Sequence, residues 1–139
     1  MGYLTPPPSV VKTFNLAAMG KPIALWKASE GGLVTVIAGT GAFPGLPGVD
    51  ADICIVSVQP GQANVEQQMK DGLGVGGPDR ANGQTYWIYD DKGAGQRTAA
   101  PTLPAAYARL VQSGRLRMAS TRYEAARDTS TLTVMAPKP

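Results

Sequence analysis

Five of the twelve residues in GLGVGGPDRANG, at positions 72–83, are glycine, and an aspartate and an arginine lie among them. A glycine-rich loop cradles phosphate when it follows a strand and opens a helix, because the amides at the helix N-terminus then point at the anion. Here the preceding residues, Gln67 to Lys70, are polar and helix-like, and Pro78-Asp79 after the glycines indicates a turn. The pattern therefore predicts a loop between strands and no dinucleotide or phosphate site.

The carboxylates also fail to form a recognisable site. Asp50 and Asp52 could begin a calcium loop, but Cys54 and Val56 stand where further oxygen ligands are needed. Asp90 and Asp91 are adjacent, so on a strand their side chains point to opposite faces and cannot act as a paired acid and base. We expect all four aspartates to end or begin strands.

Histidine is absent and Cys54 is the single cysteine. The chain therefore lacks the commonest general base and the usual nitrogen ligand of zinc, and it has no disulfide framework. Cys54 lies in the apolar run ICIVSV with no cation nearby, which predicts a buried and unreactive thiol. We expect a protein that is not an enzyme, with no catalytic residue, no cofactor and no metal.

The composition bounds the class of protein. A chain of 139 residues that is 43% apolar and 17% charged has the size of one globular domain. The 17 glycines and 12 prolines favour many short strands joined by turns. No leader peptide and no apolar run long enough to cross a bilayer is recognisable, so we expect synthesis in the cytoplasm and no membrane contact.

Periodicity and β-branched residues predict a mainly β domain. Strands are predicted at 22–28, 33–39, 52–59, 85–91, 115–123 and 131–136, the third of them central and covered on both faces. A helix is predicted at 101–114, one or two helical turns at 62–72, and either a helix or an irregular strand at 10–18. The expected fold is a single-domain β-sandwich, jelly-roll-like, or a small barrel, with one or two short helices. It comprises an extended N-terminal arm at 1–9, a β-rich domain at 10–136 and a tail at 137–139.

Five of the seven arginines lie at positions 109–127, interleaved with Tyr107 and Tyr123. Arginine and tyrosine on a small barrel can bind single-stranded nucleic acid by phosphate contact and base stacking. Glu124 and Asp128 interrupt the cluster, and arginine is also favoured at protein interfaces. We therefore favour a solvated face or a protein contact over a nucleic-acid site.

Several features are typical of a protein that works by contact. Pro6, Pro7 and Pro8 stiffen an extended arm whose anchors would be Tyr3 and Leu4. The glycine- and proline-rich loop at 39–50 is expected to expose two apolar residues, Phe43 and Leu46, at its tip. The predicted partner-interface residues are Tyr3, Leu4, Pro6, Pro7, Pro8, Phe43, Leu46, Arg115 and Arg117.

By its size, its MGYLTPPPS arm and its β-rich body without catalytic residues, the chain resembles the small decoration, or cement, proteins of tailed-bacteriophage capsids. The resemblance implies a β-sandwich or β-tulip body on the capsid exterior. It also implies self-association as a dimer or trimer, and binding across major capsid protein subunits to stabilise the shell. Another phage assembly component, from the tail or baseplate, and a small nucleic-acid-binding β-barrel remain the alternatives.

Overall fold

The computed structural model describes residues 20–29, 32–93 and 95–138 of the chain. The predicted arm at 1–9, with Tyr3, Leu4, Pro6, Pro7 and Pro8, lies outside the described residues, as does the helix or irregular strand predicted at 10–18. Side chains are described from residue 32 onward.

Most of the described residues belong to β-strands. The strands are β1 Gly20–Ser29, β2 Gly32–Ala42, β3 Asp50–Gln59, β4 Asp79–Ala81, β5 Gln84–Asp91, β6 Arg97–Ala99, β7 Leu116–Glu124 and β8 Thr129–Pro137. The helices are α1 Val65–Leu73 and α2 Pro104–Gln112, and a 3-10 turn spans Ala125–Arg127. The predicted helices at 62–72 and 101–114 are thus confirmed, and the last strand runs one residue beyond its predicted end.

The strands form one continuous antiparallel sheet in the order β1-β2-β3-β8-β7-β5-β4, with β6 paired to β5. This arrangement confirms the predicted mainly β class with short helices. Side chains alternate between two faces. We call the face that carries Thr35, Ile55, Thr133 and Ser120 the front face, and the face that carries Val36, Cys54, Val134 and Ala119 the back face.

On the front face, α2 and the β2–β3 loop cover one end of the sheet. Their cluster is built on Phe43, Ala51, Leu110 and Leu116, with Met118 and Met135 packed against it. Pro104 lies in the first turn of α2, where its missing N–H costs nothing, and Gly114 takes a φ of 71° after the helix ends. The spacing of Leu103, Tyr107, Leu110 and Val111 predicts this helix, although Leu103 itself remains 71% exposed.

On the back face, α1 covers β5, β7 and the adjoining side of β8. Trp87, Tyr89, Ala119 and Val75 form the cluster beneath it. The helix ends at Gly74, which takes a left-handed φ of 66° and donates its N–H to the carbonyl of Lys70 at 3.0 Å. Thr85 donates to Glu66 Oε2 at 2.9 Å, which fixes the first turn of α1 to the sheet.

The β2–β3 loop is shorter than predicted and folds back on the sheet. Phe43 donates its N–H to the carbonyl of Val49 at 2.9 Å, and its side chain is only 3% exposed. Leu46 is half-buried against the same cluster. The prediction that Phe43 and Leu46 stand exposed at a loop tip is wrong, because the turn directs both side chains into the front-face core.

The strand that carries Cys54 is central, since β3 lies between β2 and β8, but neither of the two described helices covers its back face. Ala51, Ile53 and Ser57 on its front face are buried, whereas Asp52 and Cys54 on its back face are exposed. The prediction of a buried Cys54 is wrong. An apolar run around a cysteine does not reveal which face of the sheet lacks a covering element.

Candidate binding surfaces

Beyond the end covered by α2, the front face forms a groove of about 710 Å³. Its lining is rich in hydroxyl groups, those of Thr35, Ser57, Ser120, Thr129, Thr131 and Thr133. Leu33 and Ile55 contribute apolar surface, and the cations and carboxylate of the lining come from β7 and the turn after it. This volume lies within the range of roughly 300–1,000 Å³ typical of small-molecule sites.

The sheet register arranges part of this lining in a row. Thr35 pairs with Ser57, Ser57 with Thr131, and Thr131 with Arg122, so the row crosses β2, β3, β8 and β7. Thr35 is 2% exposed and Ser57 is 5% exposed. The two side chains therefore lie deep in the lining of the groove, and neither hydroxyl oxygen is among the buried side-chain atoms of the described residues that lack a hydrogen-bond partner.

Among the described residues that line the groove, one positive charge is unbalanced. Arg127 Nε lies 3.6 Å from Glu124 Oε1, so these two charges offset each other. Arg122 has no hydrogen-bond or ion-pair partner among residues 20–29, 32–93 and 95–138. Its guanidinium group is exposed and lines the groove. The groove thus suits a ligand that brings one negative charge.

The second surface is the part of the back face that α1 does not reach. Val34 and Val36 of β2, Val56 and Val58 of β3, and Leu132 of β8 are half-buried there, and none belongs to a hydrophobic cluster of the described residues. Cys54 and Ala38 lie at the centre of this area and are exposed. Asp52 and Lys138 form an ion pair of 3.3 Å at one end. We call these residues of β2, β3 and β8 the open back face.

Arg115 and Arg117, two predicted interface residues, lie just before β7 and near its start, respectively, and both bond within the fold. Arg115 donates to both carboxylate oxygens of Asp90, and this hydrogen bonding holds the pKa of Asp90 below its ordinary value. Arg117 donates to the carbonyls of Gly114 at 2.7 Å and Leu116 at 2.8 Å. The Arg115 side chain is still 48% exposed, so contact with a partner stays a prediction for it.

The remaining arginines and tyrosines of positions 107–127 are not gathered on one surface. Arg109 lies on α2 at one end of β7, whereas Arg122 and Arg127 line the groove at the other end. Tyr107 packs against the front-face core, and burial raises its pKa. Tyr123 lies on the back side of β7 and donates to Asp128 Oδ1 at 3.1 Å, a bond that raises the pKa of the phenol. The structure therefore does not bring these arginines and tyrosines together on one surface, as a site for single-stranded nucleic acid would require.

The glycine-rich segment at 72–83 begins in the last turn of α1 and ends in the β4–β5 hairpin. Gly74, Gly77 and Gly83 take left-handed φ values, and Asn82-Gly83 forms the hairpin turn. The segment follows a helix C-terminus, where carbonyl groups and a partial negative charge would repel an anion. It supplies turns and offers no phosphate cradle.

Among the described residues, no group of three or more histidine, cysteine, aspartate or glutamate side chains is placed to hold a metal ion. None of the helices described is long and apolar enough to cross a membrane.

Sequence reasoning missed the groove. Its strongest signal is the alternation of Thr129, Thr131 and Thr133 in β8, which places three threonines on one face. The pairing of β8 with both β3 and β7 brings these threonines beside Ser57 and Arg122. The β3–β8 pairing joins residues more than 70 positions apart in the chain, and no local pattern encodes it.

Comparison with protein-family models found no match. Searches of the curated proteins and of the solved structures found no significant match either. The two surfaces described above, the groove and the open back face, are thus the basis for a functional proposal.

Proposed function

We propose that this protein is a structural component of a bacteriophage particle that binds the capsid exterior and stabilises it by bridging major capsid protein subunits. The open back face supports this proposal most directly. Valine and leucine side chains share it with exposed Ala38 and Cys54, and the ion pair of Asp52 and Lys138 lies at one end of it. An apolar centre with a polar rim is the usual anatomy of a protein interface.

The N-terminal residues fit the same role. The extended arm predicted at 1–9 would bring Tyr3 and Leu4 to a partner, while Pro6 to Pro8 limit the ordering entropy lost on docking. A protein that binds assembled shells and not separated subunits shifts the equilibrium toward the assembly by mass action. Self-association as a dimer or trimer would multiply these contacts across a symmetric lattice.

Cys54 provides a direct test, because it is the single cysteine and lies at the centre of the open back face. Its thiol should react readily with a maleimide in the free protein and at least tenfold more slowly in purified particles. A Cys54→Ser protein carrying Ala108→Cys on the exposed side of α2 is the control, since its label site should stay reactive in both states. Equal reactivity of Cys54 in both states would contradict docking by this face.

A charge introduced into the face tests its role in attachment. Ala38→Glu changes an exposed residue, so it should leave the fold intact, yet docking would bury an unpaired carboxylate. We expect at least tenfold weaker binding to particles that lack the protein, with Ala108→Glu as the matched control. Thermal melting of particles with and without the bound protein then measures stabilisation directly. Failure to co-purify with particles, together with steeply salt-dependent binding of single-stranded DNA, would replace this proposal with the nucleic-acid alternative.

A further inference from the structure

The groove on the front face has no part in the proposed capsid contact, which uses the opposite face of the sheet. It combines a cavity of about 710 Å³, a lining rich in hydroxyl groups of which Thr35 and Ser57 are nearly buried residues, and an arginine without a partner in the described part of the chain. The row Thr35, Ser57, Thr131 and Arg122 crosses four strands, a span of about 14 Å at roughly 4.8 Å per strand.

The charge of the groove selects an oxyanion. Glu124 and Arg127 offset each other, which leaves the guanidinium group of Arg122 to bind a phosphate or carboxylate group. The planar guanidinium fork matches two oxygens of either group. Gln59, which also lines the groove, donates its amide N–H to the backbone carbonyl of Arg127 at 2.9 Å.

The hydroxyl groups of the lining indicate the chemistry of the uncharged part of the ligand. A hydroxyl both donates and accepts hydrogen bonds, so several in a row complement a molecule whose own groups do both. Ser57, Thr131 and Thr133 lie on β3 and β8, the two central strands of the groove. They are within reach of a ligand whose charged group is bound at Arg122. Leu33 and Ile55 add apolar surface suited to the C–H faces of a sugar ring.

We propose that this groove binds a small anionic carbohydrate, with its phosphate or carboxylate at Arg122 and its hydroxyl groups over Ser57, Thr131 and Thr133. The site is independent of the capsid proposal, since it lies on the other face and needs no second protein. Binding at either surface can be present without the other.

The test is a titration of the isolated full-length protein followed by amide chemical shifts. Glucose 6-phosphate and glucuronate should give saturable shifts on β3, β7 and β8, whereas glucose and inorganic phosphate should bind at least tenfold more weakly. Arg122→Gln should weaken glucose 6-phosphate binding at least tenfold, and Thr131→Val several-fold. Lys70→Gln removes one charge from the exposed side of α1 and should leave binding unchanged.

The amide spectra also report whether each variant is folded. No saturable shift with any of the four probes would overturn the proposal. So would unchanged affinity in folded Arg122→Gln. Inorganic phosphate binding as tightly as glucose 6-phosphate would reduce the groove to a simple anion site and overturn the carbohydrate assignment.

Discussion

Arg115 donates two parallel hydrogen bonds to Asp90, from Nε to Oδ1 at 2.8 Å and from Nη2 to Oδ2 at 2.5 Å. The two partners differ in exposure, because the Asp90 side chain is 10% exposed and that of Arg115 is 48% exposed. Asp90 opposes Leu116 in the β5–β7 ladder, and Asp91 donates its N–H to the carbonyl of Arg115 at 2.9 Å. The pair therefore fixes the point where the chain leaves α2 and enters β7.

The unequal burial of this pair predicts unequal mutational effects. Arg115→Gln leaves a nearly buried carboxylate without its partner, whereas Asp90→Asn leaves an arginine that water can solvate. We expect Arg115→Gln to lower the urea midpoint of unfolding more than Asp90→Asn does at pH 7. Equal losses from the two substitutions would contradict this account.

The same pair predicts a pH dependence. Hydrogen bonding from Arg115 lowers the pKa of Asp90 below its ordinary value of 3.8. A lowered carboxyl pKa contributes stability that is fully present above the unfolded value and is lost as pH falls through the folded value. The difference in urea midpoint between the wild type and Arg115→Gln should therefore be constant near neutral pH and shrink below pH 3.8.

Because Phe43 is buried, we predict that its side chain stabilises the folded state. Phe43→Ser should lower the free energy of unfolding by about 3–5 kcal/mol, the usual cost of truncating a buried aromatic residue. Leu46→Ser, at a half-buried position of the same loop, should cost less than half of that. Urea denaturation measures both changes in the free energy of unfolding. No measurable loss for Phe43→Ser would contradict the burial of this side chain and support an exposed loop tip.

The sequence was informative wherever a property is local. β-Branched runs and turn residues predicted β2, β3, β5 and β8, and one apolar stripe closed by Gly114 predicted α2. Exposure was harder to predict, as the loop residue Phe43 and the strand residue Cys54 show. Phe43 is buried because its turn folds over the front-face core, and Cys54 is exposed because α1 stops short of β3. Both outcomes depend on how distant elements pack, which no short pattern contains.

Tyr123 and Asp128 offer a test of local electrostatics. The phenol donates to Asp128 Oδ1, and this bond raises the pKa of Tyr123 above 10.0. A raised phenol pKa contributes stability that is present below pH 10 and lost as pH rises through the folded value. Asp128→Asn should bring the pKa of Tyr123 back toward 10.0, because a neutral amide oxygen favours the protonated phenol less than a carboxylate does.

Asparagine suits this position because residue 128 has a φ of 46°, which asparagine tolerates as well as aspartate does. Titration followed by tyrosine ring-carbon shifts gives the measurement. Tyr107 is the internal control, since burial and not a carboxylate raises its pKa, and its titration should be unchanged. A shift of both tyrosines would point to a change of fold instead.

We predict that glycine-to-alanine substitutions at Gly61 and Gly72 change the free energy of unfolding in opposite directions. Gly61 donates its N–H to the carbonyl of Asp128 at 2.6 Å, and Gln62 and Ser130 exchange two further bonds beside it. A Cβ on Gly61 would lie 2.7 Å from the backbone nitrogen of Ser130 and 2.8 Å from the carbonyl carbon of Thr129, too close for either backbone to accommodate. Gly72, in the last turn of α1, has nothing within 4 Å of a built Cβ.

Gly61→Ala should therefore lower the free energy of unfolding by about 1–3 kcal/mol, because the added methyl group forces the β7–β8 turn away from the segment that follows β3. Gly72→Ala should raise it by about 0.5 kcal/mol, because alanine has less freedom to lose on entering a helix. Urea denaturation of the two variants beside the wild type gives the measurement. Tolerance of Gly61→Ala would show that the segment after β3 does not pack against residues 128–130 as described, and destabilisation by Gly72→Ala would contradict the open space around that helix position.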